Sequence, residues 1–198
     1  MAGRSAAGEP GSAARVGRVA RAGRGLLRLL VRRGGEHPPQ TDPLPGHRGA
    51  DQGVGAHKDY GYLALLHQDS IAGLQVQDSA GGWIDADPVP GAFVVNIGEM
   101  LEIATGGYLT ATRHRVRSPA AGVDRYSVPF FLAPRLDAVV EPLELPAELA
   151  AEARGISTDA NNPLLAAFGE NALLGWLRSH PEVARRWWSD VLEAQVAR

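Results

Sequence analysis

The chain has 198 residues, of which 20 are basic and 22 acidic, giving a formal net charge of −2, and it contains no cysteine. Without cysteine it has no disulfide, no thiol nucleophile and no cysteine-based zinc or iron–sulfur site. The length predicts one compact soluble domain, while the balanced charge and the short apolar runs argue against a nucleic-acid partner and a membrane-spanning segment.

The first 36 residues differ in composition from the rest of the chain. They hold eight arginines against two glutamates and are otherwise rich in Ala and Gly. Such a segment buries too little apolar surface to order itself, so we expect residues 1–36 to be a poorly ordered or truncated N-terminal segment. An organellar transit peptide is the alternative, but arginine outnumbers lysine 19 to 1 along the whole chain. We therefore expect a cytoplasmic protein.

The β-rich part of the chain follows, and we assign it to residues 37–142. Its first part, residues 37–56, is rich in Pro and Gly, which predicts an irregular chain. Short apolar and β-branched runs separated by turn signals then predict six strands. They are Tyr60–Leu66, Leu74–Gln77, Trp83–Ala86, Ala92–Ile97, Leu109–Val116 and Arg125–Leu132. Strands of this length and spacing are typical of an all-β sandwich or barrel.

The period of the apolar residues becomes helical in residues 143–198, which we predict to be a C-terminal helical extension. Asn162 and Pro163 have the residue types of an N-cap and first helical residue, and predict a helix that runs towards Leu177. Ser179 and Glu182 fit a capping box for a final helix. That helix is predicted to pack on the β core through Val183, Trp187, Trp188, Val191 and Leu192.

Two His-x-Asp pairs are the first candidates for chemistry. A single pair is weak evidence at this composition, but the chain has His57 with Asp59 and His67 with Asp69. Ten extended residues span about 33 Å, so the two pairs cannot share one metal across a continuous strand. His67 and Asp69 end a predicted strand, where polar residues commonly cap turns. His57 and Asp59 instead precede a strand, at the expected mouth of the barrel.

His114 is the candidate for a third ligand. Strand alternation places it on the face opposite Arg113, Arg115 and Arg117, which we expect to face solvent, so His114 points inwards. An inward histidine alone is more often a hydrogen-bonded core residue than a ligand. Together with a His-x-Asp pair, however, it completes the two-histidine, one-carboxylate set typical of non-haem Fe(II) oxygenases.

Arg125 and Ser127 are the candidates for anion binding. They share a strand face with Pro129 and Phe131, which predicts that the guanidinium is buried and needs an anion. An ion pair with a protein carboxylate such as Asp124 or Glu99 explains the same pattern equally well.

An ordered set of short motifs makes the chain recognisable. The motifs are His57–Gly61, Gly73–Val76, Gly82–Asp85, Pro90–Glu99, His114–Val116 and Arg125–Phe131. Their combination closely resembles the isopenicillin N synthase-like iron(II)/2-oxoglutarate-dependent oxygenases. The resemblance implies a mainly β fold, a double-stranded β-helix or jelly roll backed by C-terminal helices.

By position, the resemblance implies that His57, Asp59 and His114 are iron ligands and that Arg125 and Ser127 bind the distal carboxylate of 2-oxoglutarate. It makes His67 and Asp69 an ordinary strand end, and Lys58 receives no role. The N-terminal region does not resemble the family.

The implied function is a dioxygenase that uses Fe(II), 2-oxoglutarate and O₂ to hydroxylate, desaturate or cyclise a small organic substrate, with succinate and CO₂ as products. Two alternatives remain. One is an iron oxidase of the isopenicillin N synthase type that needs no 2-oxoglutarate, and the other is a truncated, non-catalytic β-barrel binding module. We expect a monomer.

Overall fold

The computed structural model describes residues 34–36, 42–46, 52–157 and 164–191. Within them the chain forms nine strands and four helices. The strands are β1 (Gly34–Glu36), β2 (Asp42–Pro45), β3 (Gln52–His57), β4 (Leu63–Gln68), β5 (Leu74–Gln77), β6 (Trp83–Asp85), β7 (Val94–Ile97), β8 (His114–Arg117) and β9 (Asp124–Pro134). The helices are α1 (Glu99–Ala104), α2 (Ala147–Ala150), α3 (Phe168–Ser179) and α4 (Pro181–Trp187).

The strands form two antiparallel sheets. The major sheet has the order β1-β9-β4-β7, with β2 also paired to β9, and the minor sheet has the order β3-β8-β5-β6. Asn96 of the major sheet bonds Asp59, which follows β3 of the minor sheet. The inner faces of the two sheets therefore meet, and the candidate site lies between them.

Helix α1 lies at the centre of the apolar core. All six of its residues are buried, and Met100 is completely inaccessible to solvent. Around it pack Tyr62, Tyr108 and Leu109, together with Val140 and Phe168 from the chain beyond β9. The main-chain N–H of Glu99 donates to the carbonyl of Asp59 at 2.8 Å. The core is thereby joined to the chain that carries the candidate ligands.

The six predicted strands are confirmed in position, with shifted ends. The prediction of an irregular chain over residues 37–56 is wrong, because β2 and β3 lie there. Strand β2 contains Pro43 and Pro45 and, among the described residues, pairs with β9 alone. Proline is tolerated on an edge strand because its missing N–H is not needed there. Residues 1–33, which make up most of the segment expected to be poorly ordered, lie outside the described residues.

Helix α3 starts later than predicted. Asn162 and Pro163 lie outside the described residues, and the chain at Leu165 precedes the helix, which begins at Phe168. The side chain of Asn171, 4% exposed, accepts from the N–H of Leu165 at 3.0 Å and donates to its carbonyl. The Asn171 side chain thus satisfies both backbone groups of Leu165 without a helical turn. The spacing of apolar residues does not predict such a side-chain contact.

The predicted N-cap of the last helix is wrong, and three of the five residues predicted to pack on the β core are exposed. His180 occupies the N-cap position without a side-chain cap, and the Ser179 hydroxyl donates back to the carbonyl of Gly175 at 2.9 Å. Trp187 is 68% exposed, and Val183 and Trp188 are also exposed. Helix α4 has only seven residues and packs mainly against α3. Val191 is half-buried, and Leu192 lies outside the described residues. No helix in the described ranges combines the length and apolarity needed to cross a membrane.

The turn after α1 supplies a test of the fold. Gly106 and Gly107 both have positive φ, of 58° and 81°, but a Cβ at Gly106 meets open space whereas one at Gly107 would overlap the carbonyl of Gly155. We expect Gly106→Ala to lower the free energy of unfolding by about 1–2 kcal/mol. Gly107→Ala adds the steric overlap and should lower it by roughly 3 kcal/mol or more. Urea denaturation measures both, and equal losses would contradict this packing.

Candidate active site

The paired strands β3 and β8, together with the short segment that follows β3, bring three metal-ligating side chains together. His57 is the last residue of β3 and lies opposite His114, the first residue of β8. Asp59 follows His57 by two residues, and its Oδ1 lies 3.7 Å from the Nε2 atom of each histidine. One ligand atom from each residue lies within 4.8 Å of the other two, and the described residues contain no other such group.

Hydrogen bonds fix which imidazole nitrogen faces the centre of this group. The Nδ1 atom of His57 lies 2.7 Å from the carbonyl oxygen of Gly55, and that of His114 lies 3.1 Å from the carbonyl oxygen of Thr112. A carbonyl only accepts hydrogen bonds, so a proton on Nδ1 of each ring completes these two bonds. In that tautomer Nε2, the nitrogen that faces Asp59 in each ring, is the atom left for metal ligation.

The electrostatics of the group suit a divalent cation. Burial lowers the pKa of His114; the carboxylate of Asp59 opposes this, and the neighbouring His57 adds to it. A neutral imidazole is the form that binds metal. Asp59 is 8% exposed, so its negative charge is largely removed from water. Two neutral imidazoles and one carboxylate form the set that binds non-haem Fe(II), and the residues present therefore fit this metal.

Asn96 is part of the site, although it was not among the residues predicted to lie there. Its amide donates to Asp59 Oδ2 at 2.8 Å, and the same nitrogen lies 3.3 Å from Nδ1 of His114. The bond leaves the Oδ1 atom of Asp59 turned towards the histidines. Alternation along β7, where Val95 is 60% exposed, was the available signal that Asn96 faces inwards.

Arg125 of β9 is buried on the inner face of the major sheet, as predicted, with 1% exposure. Its guanidinium donates to Gln68 Oε1 at 2.7 Å, to the carbonyl of Ile71 at 3.2 Å and to the hydroxyl of Ser127 at 3.4 Å. All three acceptors are neutral. The hydrogen bonds of Arg125 therefore differ from the predicted alternative, an ion pair with Asp124 or Glu99.

The charge of Arg125 is only partly compensated. Burial lowers its pKa, and Asp69 is the carboxylate that raises it. The two oxygens of Asp69 accept from the backbone N–H groups of Ile71 and Tyr126 instead. A buried guanidinium with neutral partners and a neighbouring hydroxyl from Ser127 forms a site for a carboxylate. The structure thus brings Arg125 and Ser127 together, as expected.

The second His-x-Asp pair is not part of the ligand group. Asp69 caps the turn after β4 through its bond to the N–H of Ile71 at 2.8 Å. His67 is exposed, and its ring lies edge-on to Phe93 at 5.7 Å. The interpretation of this pair as a strand end is confirmed.

The arginines of β8 and the residue before it behave largely as predicted. Arg113 and Arg117 are exposed. Arg115 is half-buried, because its guanidinium lies 4.1 Å from the ring centroid of Trp83 and donates to Gln75 at 2.8 Å. All three point away from the face that carries His114, which is the arrangement that turns the histidine inwards.

Comparison with known proteins identifies a matching protein family and several relatives in sequence. Residues 28–134 match the model of the 2OG-Fe(II) oxygenase superfamily. A 1-aminocyclopropane-1-carboxylate oxidase from Dictyostelium mucoroides is 48% identical over 88 residues, which cover 44% of this chain and 24% of the oxidase. The 2-oxoglutarate-dependent dioxygenase frbJ from Dothideomycetidae sp. (strain 11243) is 37% identical over 155 residues, covering 72% of this chain and 42% of the relative.

A solved structure shows the same architecture. A full-length Neurospora crassa protein, crystallised in complex with alpha-KG, superimposes with a TM-score of 0.54 at 27% sequence identity, over 69% of this chain and 46% of that protein. The fold of 2OG-Fe(II) oxygenases is the double-stranded β-helix, so the predicted fold is confirmed. The chain spans less than half the length of each of these three proteins.

Proposed function

Because the chain belongs to the 2OG-Fe(II) oxygenase superfamily, we propose that it is an Fe(II)/2-oxoglutarate-dependent dioxygenase. It oxidises a small organic substrate with O₂, by hydroxylation, desaturation or cyclisation, and produces succinate and CO₂. One observation carries this proposal. The structure places a two-histidine, one-carboxylate group and a buried, incompletely compensated guanidinium between the same two sheets.

In this proposal His57, Asp59 and His114 hold Fe(II). The Nε2 atoms of the two histidines each lie 3.7 Å from Oδ1 of Asp59. Three protein ligands of this kind would leave further coordination positions of the metal for cosubstrate, O₂ and substrate. Bound iron supplies Lewis-acid and redox chemistry that no side chain of this protein has. Asn96 holds the carboxylate of Asp59 in place, and the carbonyls of Gly55 and Thr112 hold the imidazoles.

Arg125 and Ser127 bind the distal carboxylate of 2-oxoglutarate. The carboxylate would supply the charge that Arg125 lacks in its present hydrogen bonds. The bond from Arg125 to Gln68 keeps the guanidinium in one orientation. A fixed carboxylate orients the cosubstrate before reaction.

An anaerobic titration tests the proposal. We expect Fe(II) and 2-oxoglutarate together, but neither alone, to produce a metal-to-ligand charge-transfer band in the visible range. The band should be absent in His57→Ala and present in His67→Ala, which removes an exposed histidine from the other pair. Iron binding without the band would favour the oxidase that needs no 2-oxoglutarate, and absence of iron binding would favour the non-catalytic module.

Further expectations go with this proposal. Similarity to the isopenicillin N synthase-like members in particular, a cytoplasmic location and a monomeric state stay predictions. So does the division into segments 1–36, 37–142 and 143–198. The small net charge of −2 supports a protein that binds no nucleic acid.

A further inference from the structure

The residue between the first two candidate ligands makes its own contacts on the opposite side of the chain. His57 and Asp59 face the centre of the ligand group, so the alternation of the chain turns Lys58 away from it. The Lys58 ammonium donates to Glu102 Oε2 at 3.3 Å and to the Ser157 hydroxyl at 2.6 Å. The Lys58 side chain is 21% exposed and that of Glu102 is fully buried.

Glu102 is a buried carboxylate to which three parts of the chain donate. Its Oε1 accepts from the N–H of Ser157 at 2.7 Å, and its Oε2 accepts from the N–H of Ala111 at 2.8 Å as well as from Lys58. A buried carboxylate requires such donors, and a cation among them balances its charge. Lys58 is the one cation that bonds Glu102 within the described residues.

The contacts of Glu102 join the chain segments that carry the candidate ligands to the apolar core, on the side away from the ligand atoms. Glu102 belongs to α1, whose six residues are all buried, and Ala111 lies three residues before His114. One carboxylate is therefore bonded to the residue between two candidate ligands and to the chain just before the third. None of these atoms has to touch the metal to determine how far apart the ligands lie.

We propose that Lys58 and Glu102 form a positioning pair for the metal centre, an inference that rests on the proposed function above. The pair holds His57, Asp59 and His114 at ligating distance before the metal arrives. Without it, the protein must order these residues on binding, and metal affinity falls. Outer contacts of this kind typically change metal affinity about 10- to 100-fold.

Co(II) binding by the full chain, without 2-oxoglutarate, tests the pair, because Co(II) absorbs visibly when ligated. We expect Lys58→Met to raise the Kd for Co(II) about 10-fold or more, measured well below the unfolding temperature of the metal-free variant. Lys58→Arg keeps the cation and should recover most of the affinity. Arg135→Met is the matched control, since it removes the cation of an exposed pair with Asp137 and should leave the Kd unchanged.

A purely structural role gives a different result. In that case Lys58→Met lowers the unfolding temperature but leaves the Kd of the folded protein within twofold of the original, and the inference is overturned. If Lys58→Met does not fold, Ser157→Ala decides, because it removes only the exposed hydroxyl that holds Lys58 and should raise the Kd about threefold. An unchanged Kd there also overturns the inference.

Co(II) binding also distinguishes failure of the proposed function from failure of the positioning pair. If the unmodified chain does not bind Co(II), or if His57→Ala leaves the Kd unchanged, the metal site itself is wrong and the positioning pair falls with it. If His57→Ala abolishes binding and Lys58→Met has no effect, the metal site stands and only the pair is refuted.

Discussion

Replacing His57, Asp59 or His114 with Ala should lower succinate formation at least about 1,000-fold. Each residue supplies one of three donor atoms within 4.8 Å of one another, and two donors do not hold a divalent cation at low concentration. The metal contributes several kcal/mol to such reactions, and ~4 kcal/mol corresponds to a rate factor of about 1,000. Succinate release with excess 2-oxoglutarate, at an Fe(II) concentration close to that of the protein, measures the loss.

The chain contains its own control for this experiment. His67→Ala and Asp69→Ala change the second pair with the same spacing, which faces solvent and caps a turn. His67→Ala should leave most of the activity. Asp69→Ala should cost stability through its lost bonds to Ile71 and Tyr126. An equal loss of succinate formation in His67→Ala and His57→Ala would refute the choice of ligands.

Replacing Arg125 with Met should chiefly raise the requirement for 2-oxoglutarate. The substitution keeps much of the apolar stem in the buried site but removes the charge-assisted hydrogen bonds to a carboxylate. Such bonds are worth about 1.5–3 kcal/mol, so KM for 2-oxoglutarate should rise by roughly 10- to 150-fold. We expect kcat at saturating 2-oxoglutarate to fall much less, because Arg125 does not belong to the ligand group.

Arg115→Met is the matched control for the clamp. Arg115 is also an arginine on a strand, but it lies against Trp83 and donates to Gln75 on the face away from the site. Its loss should leave KM for 2-oxoglutarate unchanged. If the two variants behave alike, the effect of Arg125 comes from general loss of stability and not from binding the cosubstrate. Parallel unfolding curves decide whether stability changed.

The candidate ligands could be predicted because their arrangement depends on local rules. Strand alternation places His57 and Asp59 on one side of the chain and turns His114 away from the arginines around it. The same rule places Arg125 and Ser127 on one face. What alternation cannot provide is the register between strands, which brings His57 opposite His114. The order of the motifs along the chain supplied that information through the family resemblance.

Asn96 and Lys58 could not be assigned from the sequence. The role of each depends on a partner far away in the chain, Asp59 for Asn96 and Glu102 for Lys58. An asparagine within a strand and a lysine between two ligands have no local pattern that separates a structural contact from a solvated side chain. Only the meeting of the two sheets with α1 reveals these bonds.

The errors in the fold have similar causes. Pro43 and Pro45 argued against regular structure. Strand β2 nevertheless forms as an edge strand beside β9, where a missing N–H costs little stability. The apolar residues of α4 predicted a packed face, yet Trp187 and Val183 remain exposed because the helix is short and packs mainly against α3. Local composition indicates which secondary structure a segment can adopt. It does not indicate which other strands or helices the segment packs against.

Strand β9 has a consequence for how the chain folds. It pairs with β1 and β2 on one side and with β4 on the other, and so joins Gly34 to Pro134 and Leu63 to Leu132. Contacts between residues this distant in sequence close large loops, and proteins dominated by them fold in milliseconds to seconds. During synthesis β4 must wait for β9 to leave the ribosome before the major sheet can close. Until then β4 has an unpaired edge, and this is the period in which the nascent chain most needs protection from aggregation.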